Sequence, residues 1–210
     1  MTRRTSALYP MRTRHANPAC ELRVQTTLME TSSKLRHNVL IGYGSATGQA
    51  EDCADIIGDS LTAAGYHTHI VELNNVRRDP AFLRQFTLFV VVCSSSDDND
   101  DHVPDNAAEF VDWLKFFPDL KNMPIALFTL GDSSYNGSFN AAGNLIENLL
   151  TQCGVKFTVP PGLADDEEGS PFEQLEPWVN NLSRTVKLAI PGSPMVHAEV
   201  GTPDITTDVA

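Results

Sequence analysis

The chain has 210 residues, 41% of them hydrophobic, which is enough for one ordinary core and, from size alone, one domain with tails. Its charge is lopsided: residues 1–37 carry Arg3, Arg4, Arg12, Arg14, Arg23, Lys34 and Arg36 against Glu21 and Glu30, a net of +5 that leaves −17 for the remainder of a chain totalling −12. So acidic a body argues against nucleic acid, which needs a basic face, and the longest apolar run, Phe86 to Cys93, is far short of the ~18 residues of a membrane-spanning helix.

Residues 1–37 read as a disordered basic tail, rich in Arg, Ser and Thr without apolar periodicity. Their first twenty positions hold no acid, as in organelle transit peptides, but Pro10 and Pro18 break the amphipathic helix such a signal needs. Cys20, Cys53, Cys93 and Cys153 have no metal-ligand spacing and are too sparse for a disulfide scaffold. Reduced cysteines fit a cytoplasmic location, with a mitochondrial one as the alternative.

From residue 38 the pattern alternates. "NVLIGY" (38–43) reads as a buried strand, and 48–64 as a helix with Cys53, Ile56, Ile57, Leu61 and Ala64 on its inner stripe. "HTHIVEL" (67–73) is a second strand. "FTLFVVVC" (86–93) is a third, apolar throughout and so covered on both faces. A helix over 105–117 turns Ala108, Val111, Trp113 and Leu114 inward. "PIALFTL" (124–130) is a fourth strand, and 140–154 a helix stopped by Gly154. "VKFTVP" (155–160) is the expected fifth strand, and 171–186 the last helix. Residues 187–210 read as a flexible C-terminal tail. Strands alternating with helices predict one α/β domain over 38–186, a parallel sheet with helices on both faces.

The turn "SATGQAE" (45–51) joins the first strand to a helix N-terminus. Such an end has unpaired N–H groups and a partial positive charge, so it takes a phosphate. Ser45 and Thr47 add hydroxyls, although either could simply cap the helix. The nucleotide P-loop is excluded because Gln49, not Lys, follows Gly48. Gly42, Gly44 and Gly48 miss the dinucleotide fingerprint by one residue, although Glu72 ends strand two where a ribose-binding acid would lie. "GDSSY" is not a nucleophile elbow, which needs Gly-x-Ser-x-Gly. His67 and His69 lie two apart on a strand with no third metal ligand evident, and His102 sits in an acidic loop.

Two more loops follow strand ends, "CSSSDDNDDHVPDNA" (93–107) and "LGDSSYNGSFNAAG" (130–143). Strand C-termini are where open α/β sheets bind ligands. Taken in order, "YGSATGQAED", "DNAAEFVDWL", "LGDSSY", "AAG" and "GLADDEE" followed by "PW" resemble the FMN-binding domain of the diflavin reductases: the NADPH–cytochrome reductases, sulfite reductase flavoproteins and methionine synthase reductases. The resemblance covers about residues 38–183. It implies a flavodoxin-like three-layer sandwich with a five-stranded parallel sheet of order 2-1-3-4-5.

The resemblance also implies a site. Ser45, Ala46, Thr47, Gly48, Gln49 and Ala50 would hold the FMN phosphate. Tyr135 would stack on the isoalloxazine, Ser133, Ser134 and backbone groups would bind the flavin edge or ribityl chain, and Leu130, Gly131, Asp132, Phe139 and Asn140 of the same loop complete the cofactor-binding set. Ser94, Ser95, Ser96 and Asp97 would line the flavin edge, and Asp166 would stand nearby. No metal and no catalytic side chain are expected. The sequence departs from the family in its strand-three loop, where Ser96, Asp97, Asp98, Asn99, Asp100 and Asp101 replace a Gly-rich Thr-Gly-Asp-Gly-Glu, and in Asn144, where Lys usually follows "AAG". Extra carboxylates beside the ring are expected to lower its reduction potential.

The implied function is an electron relay from an FAD- and NADPH-containing reductase to an acceptor redox protein, carried out by a monomer. The acidic rim at 97–101 and 165–168 would dock the partner. No FAD or NADPH module fits in 210 residues, so the expectation is a stand-alone carrier or one part of a split or truncated system. The alternatives are an FMN-dependent quinone-type oxidoreductase and a flavodoxin-fold scaffold that has lost FMN.

Overall fold

A computed structural model describes residues 38–97, 100–135 and 137–189. The expected basic tail, 1–37, and the expected C-terminal tail from 190 onward lie outside the described residues, as do Asp98, Asn99 and Asn136; residues 187–189, assigned to that tail, belong to the last helix.

Five parallel strands form the sheet: β1 (Asn38–Gly44), β2 (His67–Glu72), β3 (Leu88–Ser94), β4 (Ile125–Gly131) and β5 (Gly162–Asp165), in the order β2-β1-β3-β4-β5. This is the expected flavodoxin-like topology. The connecting helices are α1 (Gln49–Ala63), a single turn α2 (Pro80–Leu83), α3 (Asp105–Leu114), α4 (Ala141–Gln152) and α5 (Pro171–Ala189). Short 3-10 turns follow β2 at Leu73–Asn75 and β5 at Asp166–Glu168. The strand order reverses direction between β1 and β3, so the ends of those two strands open a crevice at the sheet's C-terminal edge.

Alternate residues of each central strand feed two separate cores. Phe89, Val91 and Cys93 of β3 face α3 and α4, meeting Phe110, Leu114, Ile146 and Leu150. Leu88, Val90 and Val92 face α1 and α5, meeting Ile57, Leu61, Leu175 and Leu182. Burial on both faces is why β1, β3 and β4 read as continuous apolar runs. The three described cysteines are buried, and burial pushes the Cys53 and Cys93 thiols up to about 12.

Three expectations need correction. The fifth strand is not 155–160. That segment makes one isolated bridge, Phe157 to Ile125, and the ladder resumes only at Gly162 opposite Phe128, two residues out of register. Pro160 and Pro161 fall in the gap; proline has no N–H to give a ladder, and the indole of Trp178 donates to the Pro160 carbonyl at 2.9 Å and fixes the bulge. In α1, Ile56 is 40% exposed rather than inward. The inner face uses Ala50, Cys53, Ala54, Ile57, Gly58 and Leu61. Small residues let this helix lie close on the sheet: a Cβ at Gly58 would come 2.8 Å from the Ile70 side chain. In α3, Ala107 and Phe110 join Val111 and Leu114 as the buried set, while Ala108 and Trp113 are half-buried.

Candidate functional site

The loops after β1, β3, β4 and β5 surround one cleft of about 550 Å³, within the range of small-molecule sites. It is lined by Ala46, Thr47 and Gln49 of the first loop; Ser94, Ser95, Ser96 and Asp97 of the second; Leu130, Gly131, Asp132, Tyr135 and Ser138 of the third; and Asp166.

The first loop divides its amides into two groups. Three are consumed internally: the Ser45 amide donates to Asn106 Oδ1 at 3.0 Å, and the Gly48 and Ala50 amides donate to Ser45 Oγ at 2.9 and 3.2 Å. The amides of Ala46, Thr47 and Gln49 have no hydrogen-bond acceptor among the described residues, and these are the three loop residues that line the cleft. Ser45 thus braces the helix start, while its own O–H remains free to donate. Gly48 takes φ +97° just before α1, and a Cβ there would meet nothing within 4 Å. Glycine is therefore needed for backbone conformation, a left-handed turn that L side chains resist. Tyr43 donates to Glu51 Oε1 at 2.9 Å in the first turn of α1; burial and then that bond push its phenol up to about 12.

The second loop is closed on itself. The Ser96 amide donates to the His102 carbonyl at 2.8 Å, and His102 Nδ1 lies 3.1 Å from the Ser96 carbonyl and 3.5 Å from Asp97 Oδ1. His102 holds φ +55° to do this. Ser95 Oγ accepts from the Ala142 amide at 3.3 Å, tying the loop to the start of α4.

In the third loop Tyr135 projects into the cleft, 55% exposed. Its turn is held from β5: Asp165 Oδ1 accepts the Ser133 amide at 2.9 Å and the Glu167 amide at 3.2 Å. Burial disfavours the charged form of Asp165, but these bonds outweigh it and hold the carboxyl below its usual range. Asp132 Oδ1 accepts from the amide and hydroxyl of Ser134. Gln49 Nε2 reaches across the cleft mouth to Asp166 Oδ1 at 3.2 Å.

Of the residues expected from sequence, Ser45, Gly48, Ala50, Ser133, Ser134, Phe139 and Asn140 do not line the cleft. Phe139 packs where a Gly131 Cβ would be, 3.0 Å away, and Asn140 is buried at φ +51° as the residue preceding α4. Ser138, Asn106 and Asp165 are additions that sequence reasoning misses. Asp165 neighbours the expected Asp166, and nothing in "ADDEE" shows which acid turns inward.

The chemistry of this cleft fits a flavin mononucleotide. Among the described residues the lining holds three carboxylates, Asp97, Asp132 and Asp166, and no Lys, Arg or His. With these groups a phosphate here would be neutralised by amide dipoles and hydroxyls, and the unpaired amides of Ala46, Thr47 and Gln49 sit together beside α1. Tyr135 offers an aromatic face at the other end.

The flavodoxin family profile matches residues 41–178. The chain belongs to the flavodoxin family. A flavodoxin from Pseudomonas aeruginosa, solved as a cysteine-to-serine mutant, superposes with a TM-score of 0.61 at 27% identity, covering 71% of this chain and 99% of that one. An NADPH-dependent diflavin oxidoreductase 1 from Emericella nidulans is 36% identical over 149 residues, 68% of this chain and 22% of that protein. Human NADPH–cytochrome P450 reductase is 31% identical over 159 residues, 73% of this chain and 23% of its own length. The chain thus spans under a quarter of these curated relatives. It is a flavodoxin-like domain of the diflavin-reductase kind, and its cofactor is FMN. Electron transfer is the general chemistry of such a flavodoxin domain.

Proposed function

We propose that this flavodoxin domain relays electrons from an FAD- and NADPH-containing reductase to an acceptor redox protein. The cleft supports this reading by its openness at the ring end. Tyr135 is more than half exposed, and Asp97, Asp100, Asp101, Asp166, Glu167 and Glu168 stand exposed on the loops around it. Asp101 pairs with Lys115 at 2.9 Å, so the excess negative charge comes from the other five acids; a cofactor edge left at the surface beside such an excess favours transfer across a transient, electrostatically steered contact.

FMN, when bound, supplies the redox chemistry. The chain's own groups do the rest. The amides of Ala46, Thr47 and Gln49, with the hydroxyls of Ser45 and Thr47, would take the phosphate. Tyr135 would cover one ring face and exclude water from it. Asp97 and Asp132 would set the potential low, and the exposed acids would recruit a basic patch on the partner.

The test is stopped-flow mixing of the FMN-loaded chain with a diflavin-type NADPH reductase module, then with a haem-protein acceptor. The relay predicts catalytic amounts of the chain carrying electrons to the acceptor, at a rate that falls steeply with ionic strength. Direct turnover of NADPH with a quinone, without any reductase, would instead identify a self-contained quinone-type oxidoreductase.

A further inference from the structure

We propose that Asn106, held in place by Asn74 through the first turn of α3, positions the phosphate loop and thereby sets the preference of this domain for a phosphorylated flavin over a bare one. The proposal rests on FMN occupying the cleft described above.

Asn106 is half-buried at the start of α3, and its Oδ1 accepts the Ser45 amide at 3.0 Å. That bond lies at the junction where β1 becomes the loop. It fixes which way the first peptide of the loop faces. With the Ser45 amide turned toward α3, Ser45 Oγ reaches the Gly48 and Ala50 amides, and the amides of Ala46, Thr47 and Gln49 are left for the cleft. The side chain is neutral. An aspartate could accept the same bond, but it would bring a formal charge beside the place where a phosphate must sit.

The turn that carries Asn106 is itself held from outside the helix. Asn74, in the 3-10 turn after β2, donates from Nδ2 to the Asp105 carbonyl at 2.7 Å, and its Oδ1 accepts the Glu109 amide at 2.9 Å and the Phe110 amide at 3.3 Å. Asp105 and Glu109 are the groups an ordinary helical turn pairs with each other. Asn74 therefore bridges the ladder at the point where a helix is least constrained. Arg78 secures Asn74 in turn, donating to its carbonyl at 3.0 Å and pairing with Glu109 at 3.0 Å. The approach of this turn to β1 is close: a Cβ on Gly44 would lie 2.6 Å from Ala107 Cβ. A shift of the α3 turn is thus passed directly to the loop.

A positioning role makes a prediction that a merely structural one does not. FMN and riboflavin share the ring and the ribityl chain and differ in the phosphate, so an effect confined to the phosphate loop changes the ratio of their affinities. Titrating FMN and riboflavin separately into the full chain, followed by quenching of flavin fluorescence, gives that ratio. Asn106→Ala is expected to weaken FMN about tenfold, the worth of one net hydrogen bond, and to leave riboflavin within about twofold. Asn74→Ala is expected to move the ratio the same way by a smaller factor, and it carries the test if Asn106→Ala does not fold. A parent that prefers FMN, with variants in which both flavins weaken equally or not at all, overturns the role of Asn106 alone. A parent that does not distinguish the two flavins overturns the reading of the cleft as well.

Discussion

The two ends of the cleft are built from opposite materials. At the α1 end the backbone itself is the ligand: Ala46, Thr47 and Gln49 present free N–H groups, and Ser45, Asn106 and Gly48 hold the loop in shape. At the β3, β4 and β5 end three carboxylates, Asp97, Asp132 and Asp166, stand in the lining beside Ser94, Ser95, Ser96 and Ser138, and Asp165 braces the loops. A donor end next to an acidic rim binds an anion at one place and repels negative charge at the other. On the proposed reading, such a contrast would let one cleft anchor a phosphate and still disfavour adding electrons to the ring.

The sharpest way to break the contrast is to put a carboxylate at the donor end. Thr47→Glu sets a charge against the phosphate, and like charges about 4 Å apart at an effective dielectric of 20 repel by about 4 kcal/mol. FMN affinity measured by fluorescence titration should fall by roughly three orders of magnitude. At the other end, Tyr135→Ala removes the stacking face. Loss of an aromatic stacked on a flat ring costs about 1–3 kcal/mol, so FMN binding should weaken about 5- to 150-fold, and Tyr135→Trp should restore it.

The acids of the rim should act on potential more than on affinity. Asp97→Asn and Asp132→Asn each remove one partly screened charge worth about 1 kcal/mol or less, some tens of millivolts for one electron. Anaerobic titration should find both variants at a higher midpoint than the parent, with the double variant higher still. An unchanged midpoint would mean that these carboxylates do not sense the ring.

The smallest effect concerns Asp165 and depends on pH. Its carboxyl is held below the usual range by Ser133 and Glu167 in the folded chain. The stabilisation is therefore present above the unfolded aspartate value of about 3.9 and is lost as pH falls through the lower folded value. Asp165→Asn should lower the melting temperature at neutral pH, and the gap to the parent should close only in acid below about pH 4. A gap that persisted unchanged at pH 2 would contradict the assignment.

Some of this is plain in the sequence, and the rest is hidden for physical reasons. β1, β3 and β4 are legible because strands covered on both faces are apolar at every position. β5 is not, since Val155, Phe157 and Val159 alternate like a strand while Pro160 and Pro161 interrupt the ladder. The size of Ile56 points it inward on paper, whereas the close face of α1 selects Ala54 and Gly58. The 45–50 loop is legible because what it offers a ligand is a helix N-terminus, a local property. Asn106 and Asp165 are not: Asn106 meets Ser45 across 61 residues and Asp165 meets Ser133 across 32, and no local pattern reports such a pair.

The central claim is that backbone donors at the α1 end hold the phosphate of FMN. Its most direct measurement is a titration of FMN into the full chain and into Thr47→Glu side by side. The account predicts a parent that quenches the fluorescence of added FMN and saturates at one FMN per chain, and a variant that leaves it unquenched at the same concentrations. Equal binding by the two, or no binding by the parent, would contradict it.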